Sequence, residues 1–176
     1  MLDLETWGTG AGCAIRSIGA AFFDFDGQPL GPLYYDNVSW ESCAAAGLTY
    51  DPATVAWWTQ QDPAAEAALA DNQLTLRAAL EGLAAFVDQF GIAEEVMVWS
   101  HGATFDIPIL EFAMRAVGVP IPWKFYNCRD TRTLIWLGEQ RGITVEVERL
   151  GLRHHALDDA RTAALRMIEI HRRLTA

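Results

Sequence analysis

Residues 14–40, AIRSIGAAFFDFDGQPLGPLYYDNVSW, hold two apolar, β-rich runs separated by a cluster of turn-forming residues. The first run, about 14–24, is rich in Ile, Ala and Phe, and the second, about 31–39, is aromatic and partly alternating. The intervening FDGQPLG supplies Gly and Pro for a chain reversal. Residues 1–5 form a third strand-like run immediately upstream, so the chain opens as a three-strand meander. Beyond it the hydrophobic period lengthens. Asp51-Pro52 and Asp62-Pro63 are helix starts, with proline suited to the first turn, and LTLRAALEGLAAFVDQF repeats apolar residues at three- and four-residue spacing. VMVWS at 96–100 reads as a short buried strand. After it come a helix ending at Gly118, a strand near 123–128, a helix over about 130–141 and a last helix from about 156. A meander followed by alternating strands and helices predicts an α/β domain over 1–176, with a mixed central sheet flanked by α-helices.

The chain has 176 residues, of which 51% are hydrophobic and 20% charged, enough for one substantial core. Cys13, Cys43 and Cys128 form no CxxC pair, so neither a disulfide framework nor a zinc knuckle is expected, and a reducing cytoplasm is the expected compartment. No apolar run has the length of a membrane span, and Asp3 and Glu5 argue against a signal peptide. The net charge of −10 argues against a nucleic-acid partner until its distribution is considered. Residues 1–123 carry 16 acidic and 3 basic side chains, whereas residues 124–176 carry 7 and 10. Arg129, Arg132, Arg149, Arg153 and Arg161 in this last third can present guanidinium forks to phosphates or form a solvated basic face. Charge alone does not choose between the two.

Three groups of acids carry the chemistry. Asp3 and Glu5 sit at i and i+2 of the first strand, so they project side by side. Adjacent carboxylates repel, and they are stable together when one is protonated or when a hard cation such as Mg²⁺ or Mn²⁺ lies between them. Asp106, in HGATFDIPIL, follows a strand and precedes Pro108, where a helix N-cap would also stand. Asp158 and Asp159, in RHHALDDARTAA, fall in the first turn of the last helix, a position that favours acids through the helix dipole.

Taken in order, DLET, FDIPIL and HHALDDA resemble the three motifs of the DEDDh 3′–5′ exonucleases, a histidine-containing branch of the ribonuclease H-like superfamily. DPATVAWWTQQDPAA and CRDTRTL further resemble the exonuclease VIII-like branch, which includes small bacterial 3′–5′ exoribonucleases. The resemblance implies a ribonuclease H-like fold and two Mg²⁺ (or Mn²⁺) ions held by Asp3, Glu5, Asp106 and Asp159. It also implies His154 as general base, because the H-x-A-x-x-D spacing ends on Asp159. His155 is the competing histidine. The family commonly has an Asn shortly before its second motif, where this chain has SHGAT, so His101 or Ser100 is a candidate to contact substrate or support the ligands, or neither does, with Phe105 beside the motif's acid as a further substrate candidate.

The activity implied is hydrolysis of phosphodiester bonds from the 3′ end of single-stranded or 3′-overhang RNA, with release of nucleoside 5′-monophosphates. Thr6, Trp7 and Gly8 lie just behind the acids; the Trp7 indole could stack on a terminal base or close the strand by packing, and the backbone here could read a 2′-hydroxyl. A DNA-directed 3′–5′ exonuclease is the alternative enzyme, and a non-catalytic nucleic-acid or partner-binding module the alternative class. Seven Trp in a short chain, and the related small exonucleases, lead to the expectation of a homodimer.

Overall fold

The computed structural model describes residues 1–26 and 30–176; the central residues of the expected first turn, 27–29, lie outside the described residues. β1 (Leu2–Thr6), β2 (Ile15–Ala21) and β3 (Leu33–Asn37) make the antiparallel meander. β4 (Val98–Ser100) joins the other side of β1 in parallel and β5 (Cys128–Asp130) joins β4, which yields the sheet order β3-β2-β1-β4-β5. The helices are α1 (Trp40–Ala45), α2 (Pro52–Trp58), α3 (Pro63–Ala70), α4 (Leu76–Val87), α5 (Asp106–Val117), α6 (Thr131–Gln140) and α7 (Ala156–Leu174). No helix among the described residues is long and apolar enough to cross a membrane.

Local chemistry starts and stops these helices as the sequence suggests. Asp51 and Asp62 each accept a hydrogen bond from the backbone N–H two residues on, at 2.9 and 2.8 Å, and each is followed by a proline in the first turn. Gly118 closes α5 at φ 69°, the left-handed conformation that costs glycine least. Two elements differ from expectation. α1 is a short helix that the aromatic run before it conceals. The strand expected near 123–128 is instead a 3₁₀ turn at Phe125–Asn127 leading into β5, with the Asn127 N–H turned back onto the Lys124 carbonyl at 2.9 Å and so not offered to a neighbouring strand.

The sheet divides the core. Leu2, Leu4, Ile18 and Val98 pack against Leu80, Leu83, Leu110 and Met114 of α4 and α5. On the other face, α7 lays Ala160, Ala164, Met167 and Ile170 beside Met1 and Val145. Small residues on α7 let it approach closely, and Gly19 completes the approach. A Cβ at Gly19 would stand 2.2 Å from the carbonyl carbon of Ala156, and Gly19 is the β2 partner of Asp3. Its missing side chain therefore brings the start of α7 over the acids of β1. Gly19→Ala is expected to cost about 1–3 kcal/mol through overpacking against backbone, read as a lower urea midpoint; an unchanged midpoint would contradict the close approach.

Candidate active site

Alternation along β1 sends Leu2 and Leu4 into the α4/α5 core, so Asp3 and Glu5 face α7. Asp106 stands at the first turn of α5, but its carboxylate does not cap that helix. Its Oδ1 accepts the backbone N–H of Leu4 at 3.2 Å, and the residue is only 3% exposed. Asp159, in the first turn of α7, approaches from the opposite side. It accepts the backbone N–H of His154 at 3.2 Å and pairs with the Arg149 guanidinium. One ligand-capable atom from each of Glu5, His154 and Asp159 lies within 4.8 Å of the other two.

Burial and mutual repulsion dominate the electrostatics. Burial pushes the Asp3 carboxyl well above the usual carboxylate range, and Asp106, Glu5 and Asp159 push it further. Glu5 is raised to about 8, chiefly by burial and then by Asp159, with Arg16 and Arg149 opposing. Asp106 is raised to about 7 by burial, and burial also raises Asp159 against the pull of Arg149. A set of oxygen donors that raises its own proton affinity in this way suits a hard divalent cation, which would replace the protons.

A pH dependence follows for the metal-free protein. Groups whose folded pKa is raised stabilise the fold below their unfolded pKa and lose that contribution as pH rises through the folded value. The melting temperature in a chelator should therefore fall as pH rises from about 4.5 to about 8, the ordinary and folded values of Glu5. Mn²⁺ should flatten the slope, since it binds the ionised form. Parallel melting curves with and without metal would contradict this site chemistry.

The two histidines are separated by backbone conformation. His154 adopts φ 60°, an uncommon conformation for a non-glycine residue, and this turns its ring toward Glu5 and Asp159. Trp57 and Trp58 meet that ring edge to face, at 4.9 and 5.9 Å between centroids. Burial and then the charge of Arg153 hold its pKa below the ordinary imidazole value. His155 instead caps α7, its Nδ1 accepting the N–H of Asp158, and stacks on Tyr35 at 4.2 Å.

The substrate candidates have several surroundings. Thr6 is buried and donates its hydroxyl to the Gly8 carbonyl at 2.7 Å, while its own carbonyl accepts the Trp58 indole N–H at 2.8 Å. Gly8 is buried against Cys13. Trp7 is half-buried and carries the Arg16 guanidinium over its ring at 4.0 Å, with Trp58 also against that guanidinium at 4.2 Å. Phe105 packs against the α4/α5 core. His101 is exposed, holds the Thr131 hydroxyl at 2.8 Å, and lines a cleft of about 300 Å³ together with Asp3, His154 and Asp159.

Arg149 and Arg153 line the same cleft, as does Arg166, which the sequence reading did not single out. Its signal was available: Arg166 is seven residues beyond Asp159, hence on the same helix face. Arg161 pairs with Asp158, and Arg129 is spent on the carbonyls of Tyr126 and Cys128. The support of His154 by the Trp57-Trp58 pair was likewise not foreseen, because it joins segments about a hundred residues apart in sequence.

A mixed sheet with acids converging from its central strand and two flanking helices defines a ribonuclease H-like nuclease domain. The chain belongs to the family of Rv2179c-like 3′–5′ exoribonuclease domains, whose family model matches residues 1–170. A comparison with curated proteins finds no match.

Proposed function

We propose that the protein is a metal-dependent exoribonuclease that shortens single-stranded RNA, or RNA with a 3′ overhang, from its 3′ end and releases nucleoside 5′-monophosphates. The observation that carries this reading is the convergence of Asp3, Glu5, Asp106 and Asp159 on one site beside His154, with Asp3, His154 and Asp159 lining the cleft above it. The four carboxylates would hold two Mg²⁺ or Mn²⁺ ions, which when bound supply an activated water and charge stabilisation at the phosphate. His154, kept neutral by burial and Arg153, accepts a proton on its ring. Trp57 and Trp58 limit the ring's rotation, so the accepting nitrogen stays near Glu5 and Asp159. The cleft suits a strand end and a few nucleotides, since no long basic track is present among the described residues to hold duplex.

The decisive test is a time course with Mn²⁺ on matched 5′-labelled and 3′-labelled RNA and DNA, single-stranded and overhung. A 5′-label ladder that shortens on RNA and not on DNA is expected. Equal rates would transfer the assignment to DNA-directed exonuclease action, and internal cuts without a ladder would rule out exonuclease action. Activity should disappear in excess chelator and return with Mg²⁺ or Mn²⁺. The protein acts as a homodimer in this proposal, which exposed aromatics such as Phe125, Tyr126 and Trp136 support. Light scattering at micromolar concentration should then report twice the 19.5 kDa of one chain; a single-chain mass rejects the dimer.

A further inference from the structure

Between α6 and α7, residues 141–155 form neither helix nor strand, and this segment brings a cation into the acidic site. Arg149 donates through Nη2 to Oδ1 of Asp159 and to the Leu152 carbonyl, the latter at 3.2 Å. Its charge also acts on Asp3 and Glu5, whose proton affinities it lowers. A guanidinium therefore sits against one carboxylate, that of Asp159, and acts on two others that the proposed function assigns to metal ions. Both cations cannot be accommodated without repulsion, because each draws on the Asp159 carboxylate.

The surroundings provide the arginine with an alternative. The backbone on either side of its side chain is anchored, with Leu150 N–H on Thr162 Oγ1 at 3.1 Å and Leu152 N–H on Asp158 Oδ2 at 2.9 Å. The Arg149 side chain, 42% exposed, can thus rotate while its base stays in place. It lies in a cleft that also holds Arg153 and Arg166, and the Arg166 Nε is buried with no hydrogen-bond partner among the described residues. This is a wall of guanidinium donors beside an acidic floor, an arrangement that a phosphate group would complete.

We propose that Arg149 is the built-in counter-cation of the metal-free acidic site and transfers from Asp159 to a substrate phosphate when divalent metal binds. The proposal rests on the reading of Asp159 as a metal ligand. Arg149 acts first as competitor to the metal and then as a contact to the nucleic-acid backbone, so its loss has effects of opposite sign on the two ligands. A residue needed only for folding would weaken both.

The experiment is a calorimetric titration of Mn²⁺ into metal-stripped wild type, Arg149→Met and Arg149→Lys, with single-stranded RNA binding measured in Ca²⁺ over a range of salt. Arg149→Met should bind Mn²⁺ about tenfold more tightly and RNA about tenfold more weakly. Its log–log salt slope for RNA should shrink by about 0.7, the loss of one phosphate contact on a single strand. Arg149→Lys should restore most of both affinities and guards against a folding defect in the methionine variant. Mn²⁺ binding that is unchanged or weaker in Arg149→Met, or RNA binding and salt slope that match wild type, overturns the inference. Wild type that binds no RNA would overturn the exoribonuclease reading as well, so the two failures are distinct.

Discussion

Asp3→Asn is expected to abolish exonuclease activity, by ~10³-fold or more, while raising the melting temperature of the metal-free protein at pH 8. Both effects come from its position. Asp3 is the carboxylate on which Glu5, Asp106 and Asp159 all act, inside a buried site where each further negative charge is costly. Replacing it with a neutral amide of the same shape relieves that repulsion in the absence of metal. The same change removes a charged oxygen donor, so Mn²⁺ affinity measured by calorimetry should fall sharply. Such a trade of stability for function is usual where like charges are held together for chemistry. Equal Mn²⁺ binding by wild type and variant would remove the metal-site assignment. A lowered melting temperature in chelator would show that Asp3 is structural rather than electrostatically strained.

His154→Ala should slow the reaction by ~10²–10⁴ with the fold and metal binding largely retained. The ring is placed by a left-handed backbone conformation and by T-shaped contacts with Trp57 and Trp58, a placement that under the proposed function suits a proton acceptor. His154→Asn is the informative companion, because Asn tolerates the left-handed conformation yet accepts no proton at neutral pH. It should be as slow as the alanine variant and at least as stable. His155→Ala should behave differently. It loses the α7 cap and the stack on Tyr35, so its effect is a stability loss of ~0.5–2 kcal/mol with a much smaller change in rate. Rates that rank the two histidines the other way would make His155 the base.

The order of elements was legible in the sequence because its signals are local. Period-two and period-three-to-four hydrophobic patterns, Asp-Pro starts and the Gly118 stop depend on a few neighbouring residues. The pairing of Asp3 with Glu5 on one face follows from strand alternation alone, and the three acidic motifs stand out by their order. α1 was not legible and β5 was expected a few residues too early, both being short elements, of 6 and 3 residues, whose assignment depends on what they pack against. Other features belong to the tertiary structure. Taken alone, the Asp106 segment fits a helix cap as well as a site acid, and it is the approach of β1 that provides Leu4 N–H and turns the carboxylate into the shared site. The sequence leaves Trp7 either as a stacking platform or as a packed aromatic closing the strand, and the structure lays Arg16, held by Glu66 at 2.7 Å, over its ring. Arg149 reads as one basic residue among several, and only the docking of α7 on Gly19 brings Asp159 within its reach beside Asp3 and Glu5. Sequence thus determined which chemical groups are present and which elements carry them. The tertiary structure decided which groups share one low-dielectric site, because charge repulsion, desolvation and ring contacts depend on distances between segments that the chain order leaves free.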